Sequence, residues 1–359
     1  MTKLTYHNAG RTYHNKHQLC ESIGWDNLNW NNLCNSEIRV ADNFKGYQFK
    51  RQRNMDLQSH AVKRLQMLRE KYDYIRLWYS GGKDSHCILE WAKQAGIVFD
   101  EIAVLEHDEH VLFCNEEIKS LKISKDLYHK LTWINVNEQI LDYVYKNKEW
   151  WQHSTVFSIL AVMELDVFNR YVTPSLKELD IPNNLCDITG GITPTIFYKD
   201  GWKFFLNEYS CSNMNYSHCE NFLVNDSYPE IYEAYINNIC DTFEEKQIML
   251  DKEDMLKLLT TKPDPSRFIR DQIPWFKNLG TAFQWRKTSN SRQIKEFEHE
   301  PWGRFVWTNK YHKATKNAYG TNSEYWINYC NSDWNKINRM YDFGTIITKD
   351  FELLEKTNY

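Results

Sequence analysis

One short segment of the 359-residue chain carries residue types that bind phosphate, Ser80-Gly81-Gly82-Lys83-Asp84-Ser85. Its adjacent glycines allow backbone conformations closed to other residues, so successive N–H groups can point into one concavity. Ser80 and Ser85 can donate hydroxyl hydrogen bonds to phosphate oxygens, and Lys83 can add a charge-assisted contact. Asp84 can hold a magnesium ion that bridges phosphate groups, because Mg²⁺ favours a few carboxylates together with phosphate oxygens.

The flanking sequence places this segment between a strand and a helix. Residues 74–79 are aromatic and branched, which predicts a strand. After the segment, apolar residues recur at helical spacing until Gly96, a typical residue for a helix C-terminus. Ligands of open α/β sheets bind where the carboxyl end of a strand leads into a helix. The position of the segment therefore supports a phosphate site.

The wider pattern alternates strands with helices. A helix is predicted from about residue 56, because Leu57, Ala61, Leu65 and Leu68 recur at helical spacing. Further helices are predicted over roughly 114–130 and, as two stretches, over about 137–172. Strands are predicted within 97–105, 131–136 and 185–189. This alternation predicts an α/β protein with a doubly wound, mainly parallel sheet and right-handed crossovers.

Beyond Pro194 the character of the sequence changes. Asp200-Gly201 predicts a hairpin turn, and helices are expected near 229–246 and 252–260. We therefore expect a mixed, mostly helical C-terminal module. The predicted organisation is an N-terminal extension over 1–55, a nucleotide-binding domain over 56–194 and a substrate or partner module over 195–359.

Two common phosphate-binding motifs do not fit the segment. A Walker A loop would need a glycine at position 77, which is Leu77, and a serine or threonine after Lys83, where Asp84 stands. The dinucleotide fingerprint G-x-G-x-x-G fails because Gly81 and Gly82 are adjacent.

Tyr79-Ser80-Gly81-Gly82-Lys83-Asp84-Ser85, after a strand and before a helix, resembles the PP-loop of the adenine nucleotide alpha-hydrolase superfamily. That superfamily includes N-type ATP pyrophosphatases and phosphoadenosine-phosphosulfate (PAPS) reductases. The resemblance covers the loop closely and residues 56–194 loosely. It implies a Rossmann-like (HUP) sheet, with ATP and Mg²⁺ bound so that the loop holds the β,γ-phosphates. A substrate is then adenylated at the α-phosphate and pyrophosphate leaves, with Lys83 and Asp84 as the catalytic residues.

Three functions remain open. The first is an ATP pyrophosphatase, ligase or transferase whose acceptor is a small molecule or a nucleic acid. The second is a PAPS reductase-like protein. The resemblance implies for such a protein a catalytic cysteine in a C-terminal Glu-Cys-Gly-type motif, and Tyr329-Cys330-Asn331 does not match this motif. The third is an adenine-nucleotide-binding module without catalysis.

Two further strand ends should face the same crevice in a parallel sheet. Glu106 and Asp108 end the second predicted strand, and could contact ribose or Mg²⁺ or belong to a solvated loop. Thr189-Gly190-Gly191 ends the fourth predicted strand. It resembles a second glycine-containing loop of the synthetase-type members of that superfamily, and the alternative is a simple turn.

Composition narrows the class of protein. The chain is 42% hydrophobic and 26% charged with a formal net charge of −4, which is typical of a globular protein and argues against a dedicated nucleic-acid binder. Nine cysteines without a CxxC pair argue against a zinc ribbon and favour a reducing compartment. No stretch approaches the roughly 20 apolar residues of a membrane helix, so we expect a cytoplasmic protein without membrane contact.

Overall fold

The computed structural model describes residues 4–13, 22–24, 37–40, 47, 49–106, 123–135, 184–190, 195–198, 202–205, 219–223, 227–248, 346–347 and 353–354. In chain order the elements of these ranges are β1 (Leu4–Asn8), β2 (Arg11–Tyr13), β3 (Glu37–Val40), α1 (Leu57–Lys71), β4 (Tyr74–Trp78), α2 (Lys83–Ala95), β5 (Phe99–Glu106), a 3₁₀ turn (Lys125–Leu127), β6 (Tyr128–Asn135), β7 (Leu185–Thr189), β8 (Thr195–Tyr198), β9 (Trp202–Phe205), β10 (Cys219–Asn221), α3 (Pro229–Glu245), β11 (Ile346–Ile347) and β12 (Leu353–Leu354).

A five-stranded sheet with the order β10-β7-β4-β5-β6 forms the centre, and each pair of neighbours is parallel. The first strand of this sheet along the chain, β4, lies in the middle. The chain then adds β5 and β6 on one side and returns to add β7 and β10 on the other. The strand order therefore reverses between β4 and β7. The predicted α/β architecture with a mainly parallel sheet is confirmed at this level.

The helices and one face of the sheet share an apolar core. In α1 the buried residues follow the predicted helical spacing, and Asp56 caps the helix by accepting a 3.0 Å hydrogen bond from the Ser59 N–H. This helix packs against both α2 and α3. The α2 helix ends at Gly96, the predicted stop, and the φ of 64° at this residue lies in the left-handed region. The sheet contributes fully buried branched side chains, Ile75, Leu77, Ile102, Val104 and Ile188.

The opposite face of the sheet is also buried, but it carries charge. Because side chains alternate along a strand, Arg76 and Trp78 lie on the face opposite to Ile75 and Leu77. The Arg76 guanidinium donates to Asp187 on the neighbouring strand, and both side chains are fully buried. Trp78 donates to the same carboxylate over 2.9 Å. Burial on both faces is typical of a parallel sheet.

One predicted boundary is wrong. The helix expected over 114–130 does not reach residue 130, because a 3₁₀ turn at Lys125–Leu127 leads directly into β6. The predicted strand therefore begins three residues too late. Pairing with β5 extends from Phe99 opposite Tyr128 to Glu106 opposite Asn135, so long-range backbone hydrogen bonds decide the conformation here. Residues 107–122, which carry the start of that predicted helix, lie outside the described ranges.

Further elements lie before and after the range predicted as the nucleotide-binding domain. The N-terminal extension contains a three-stranded antiparallel sheet, β2-β1-β3, with a turn at Ala9 and Gly10 in which both φ angles are positive. The antiparallel pairing expected on either side of Asp200-Gly201 is confirmed for β8 and β9, whereas these two turn residues lie outside the described ranges. The fifth parallel strand, β10, and the confirmed helix α3 both come from beyond residue 194. The helices predicted over 137–172 and 252–260 lie outside the described ranges.

The segment before α1 is bound along α3. Tyr47 donates a 2.7 Å hydrogen bond to Glu233, and Arg51 contacts Asp241 and, at 3.0 Å, Glu244. The β9 residue Trp202 donates to Glu244 over 2.9 Å. Both the N-terminal segment and the hairpin are therefore connected to the parallel-sheet unit through one face of α3.

Candidate functional site

The predicted phosphate-binding segment lies at the carboxyl end of the central strand β4. Of the six residues of the segment, only Ser80, Gly81 and Gly82 precede the helix, because α2 already begins at Lys83. The prediction that all of residues 80–85 precede the helix is therefore wrong, and residues 83–85 form its first turn. The physical reason is that Gly82 adopts the extended N-cap conformation, and an acidic residue at position 84 suits the positive end of the helix dipole.

The loop is held by its own polar groups. Gly81 has a φ of 64°, in the left-handed region that favours glycine. The Ser80 hydroxyl accepts a 3.2 Å hydrogen bond from the Gly82 N–H, and the Ser85 hydroxyl donates over 3.1 Å to the Gly82 carbonyl. The two hydroxyl oxygens lie 3.3 Å apart. Both predicted serines therefore form hydrogen bonds within the loop. At the N-terminus of α2, the N-cap residue Gly82 supplies no side chain to cap the helix.

The segment that follows β7 forms a second wall of the site. A Cβ atom added at Gly190 would lie 3.1 Å from the Asp84 Cβ and 3.2 Å from the Ser85 nitrogen. Such approaches are closer than ordinary van der Waals contact, so the backbone at 190 lies directly against the first turn of α2. The structure thus brings Thr189 and Gly190 to the predicted loop, whereas Gly191 lies outside the described ranges.

These two walls follow the two strands between which the strand order reverses. In open α/β sheets that reversal opens a crevice at the carboxyl ends of the strands, and ligands bind in it. On the other side of β4, Glu106 ends β5 and its backbone pairs with Asn135 of β6. Asp108 and the side chains of Glu106 and Lys83 lie outside what the structure describes.

Tyr79 and His86 belong to the same site and were not predicted from the sequence. The Tyr79 hydroxyl and the His86 Nδ1 lie 2.9 Å apart, across the two ends of the loop. Burial raises the pKa of the Tyr79 phenol and lowers the pKa of His86, so a neutral phenol faces a neutral imidazole at pH 7. The hydrogen bond therefore joins two neutral groups, and the tautomer of the imidazole decides which of them donates. No spacing rule connects residues seven apart across a turn, so the sequence carried no signal for this pair.

The end of β10 borders the crevice from the far side of β7. Asn221 pairs with Thr189, and its side-chain oxygen accepts a 3.2 Å hydrogen bond from the Leu223 N–H. The Phe222 N–H donates to the Thr189 carbonyl over 3.1 Å, and its ring stacks on Trp91 of α2. A three-residue strand is too short for a periodic signal, so this border was also missed.

Charge in the site comes from the helix terminus and from Asp84. The N-terminal turn of α2 presents the positive end of the helix dipole, and Asp84 is half-buried within that turn. In the described part of the chain, no group of three or more His, Cys, Asp or Glu side chains is arranged to hold a metal ion. A magnesium ion carried on phosphates needs fewer protein ligands, and a single carboxylate such as Asp84 fits that role.

Comparison of the chain with protein-family models, with curated proteins and with solved structures gave no match. Among the described helices, none is long and apolar enough to cross a membrane.

Proposed function

We propose that the protein is a PP-loop enzyme that binds ATP with Mg²⁺, adenylates a substrate and releases pyrophosphate. One observation carries the proposal: the turn at Gly81 and Gly82 opens from the central strand directly onto the first turn of α2, and Gly190 closes the other side. The strand order, which reverses beside β4, suits the Rossmann-like (HUP) fold that the resemblance implies.

The chemistry of the walls supports a polyphosphate ligand. Glycine at 81, 82 and 190 removes the side chains that would otherwise separate an anion from the backbone. The N-terminal turn of α2 attracts negative charge through its dipole and its N–H groups. In this proposal Lys83 neutralises phosphate charge, and Asp84 holds the Mg²⁺ that the phosphates carry.

The remaining predicted residues have subsidiary roles. Thr189, Gly190 and Gly191 border the phosphates or the substrate, and Glu106 and Asp108 approach the ribose of the nucleotide. Catalysis in such a site depends on positioning and charge neutralisation, because pyrophosphate leaves without any covalent intermediate on the protein. The acceptor is a small molecule or a nucleic acid, and the protein acts in the cytoplasm.

Nucleotide turnover by the purified full chain tests the proposal. The protein is incubated with ATP and Mg²⁺, with and without candidate acceptors, while AMP and pyrophosphate are measured. Lys83→Ala should weaken ATP binding or turnover roughly 10- to 100-fold, which corresponds to the usual free energy of a hydrogen bond to a charged group. The matched control is Lys93→Ala, an exposed lysine in the last turn of the same helix, which should behave as the unsubstituted protein.

The same assay separates the alternatives. ATP binding without turnover under any condition identifies a nucleotide-binding module. Tight PAPS binding with thiol-dependent release of sulfite identifies a reductase-like protein. Absence of any nucleotide binding, or equal losses in the Lys83 and Lys93 variants, would refute the site.

A further inference from the structure

The two ends of the loop are connected to each other by side chains at two levels. At the base, the Tyr79 hydroxyl meets the His86 Nδ1 at 2.9 Å. One residue further into the loop from each end, the hydroxyl oxygens of Ser80 and Ser85 lie 3.3 Å apart. Residues 81–84 form the tip above these two pairs. The candidate phosphate contacts therefore lie on a short closed loop with two cross-connections.

Both residues at the base are themselves anchored. The Tyr79 N–H donates over 2.8 Å to the Ala103 carbonyl of β5, and the residue is 2% exposed and belongs to the apolar core. The His86 N–H donates over 2.9 Å to the Gly82 carbonyl, which makes it part of the first hydrogen-bonded turn of α2. The side-chain hydrogen bond thus links the fixed end of the central strand with the beginning of the helix.

We propose that Tyr79 and His86 are positioning residues that hold the 81–84 segment in the conformation that binds phosphate. The inference rests on the proposed function of this loop. A loop that is ordered before binding loses less conformational entropy when the anion arrives, so its affinity is higher. Neither residue needs to touch the ligand for this effect, since the hydrogen bond acts through the backbone of the loop.

Three variants of the full chain test the inference by calorimetric titration with ATP–Mg²⁺ and with inorganic pyrophosphate. Tyr79→Phe removes only the hydroxyl, His86→Leu removes the imidazole that it contacts, and the double variant removes both. Each single change should weaken the binding of both ligands about 3- to 10-fold, which corresponds to the usual free energy of one hydrogen bond. The double variant should lose no more than a single one, because all three lack the same bond. His86→Asn, whose amide can donate or accept near the position of Nδ1, should recover part of the affinity.

A matched control separates positioning from general stability. Tyr72 is likewise a buried tyrosine, but it precedes β4, whereas the loop follows this strand. Its hydroxyl donates over 2.7 Å to Glu220 of β10 and not to the loop. Tyr72→Phe should lower stability but leave both dissociation constants unchanged. Hydrogen exchange of the backbone amides of residues 80–86 should accelerate in Tyr79→Phe and not in Tyr72→Phe.

The possible failures are distinguishable. If the unsubstituted protein binds ATP and the Tyr79 and His86 variants bind it equally well, the positioning inference is overturned and the proposed function stands. If the single losses add fully in the double variant, the two residues do not act through one bond, and the inference is also overturned. If the unsubstituted protein binds neither ATP nor pyrophosphate, the proposed function fails, and the positioning role in binding fails with it.

Discussion

Replacement of Gly190 by alanine is the most direct perturbation of the crevice between the two walls. The new Cβ would lie 3.1 Å from the Asp84 Cβ and 3.2 Å from the Ser85 nitrogen. Carbon atoms pack best at about 3.5–4.0 Å, so one wall must move by a few tenths of an ångström or more. The nitrogen belongs to the backbone of the first turn of α2, which cannot rotate away as a flexible side chain would.

The magnitude follows from overpacking. Adding a methyl group to a closely packed contact typically costs about 1–3 kcal/mol of unfolding free energy. The displaced atoms belong to the turn that we propose to bind phosphate. We therefore expect Gly190→Ala to weaken ATP–Mg²⁺ binding as well as to lower stability.

Gly96→Ala is the matched control for this experiment. Gly96 has a positive φ of 64°, and an added Cβ would meet nothing within 4 Å. Its replacement should cost about 1 kcal/mol or more through backbone strain alone. Urea unfolding gives the stability of both variants, and calorimetric titration gives their affinity for ATP–Mg²⁺. Stability should fall in both, and affinity only in Gly190→Ala. Unchanged stability and affinity in Gly190→Ala would refute the close contact between the two walls.

Two further predictions concern buried charges. Asp187→Ala leaves the buried Arg76 cation without its carboxylate and should lower the unfolding free energy in urea by about 3–5 kcal/mol. Arg76→Met combined with Asp187→Leu removes both charges and should lose less, about the 1–3 kcal/mol of the Trp78 N–H that is left without this acceptor. Equal losses in the single and double variants would contradict this. Burial alone would raise the pKa of Glu220, but the charges of Arg64 and Lys71 hold it below its ordinary value of 4.5. A lowered pKa in the folded state means that this stability is present above pH 4.5 and is lost as the pH falls through the folded pKa. The fall in urea stability below pH 4.5 should therefore be shallower in Glu220→Gln, and an identical pH profile in the two proteins would argue against the interaction.

Local signals predicted the parts of the fold that depend on neighbours in sequence. The helical spacing of Leu57, Ala61 and Leu65 reappears as the buried face of α1, and Gly96 ends α2 in the left-handed conformation. The strand at Leu185–Thr189 has the predicted bounds. Such features follow from side-chain periodicity and from the conformational freedom of glycine, which are properties of short segments.

Features that depend on distant pairing were not predictable in the same way. The extent of β6 depends on hydrogen bonds to β5, and β10 is recognisable only by its pairing with β7. The first residue of α2 also differs from the prediction, because residue types compatible with a loop are equally compatible with the first turn of a helix.

The candidate site shows the same division. The residues 80–85 by themselves led to the proposal of a phosphate site, because adjacent glycines, hydroxyls, a lysine and an aspartate suit phosphate wherever a strand leads into a helix. Only the tertiary structure decided that Gly190 lies against Asp84 and that Tyr79 meets His86. Both contacts depend on long-range packing, since strand order sets which loops share the crevice and the orientation of α2 sets which side chains meet across it.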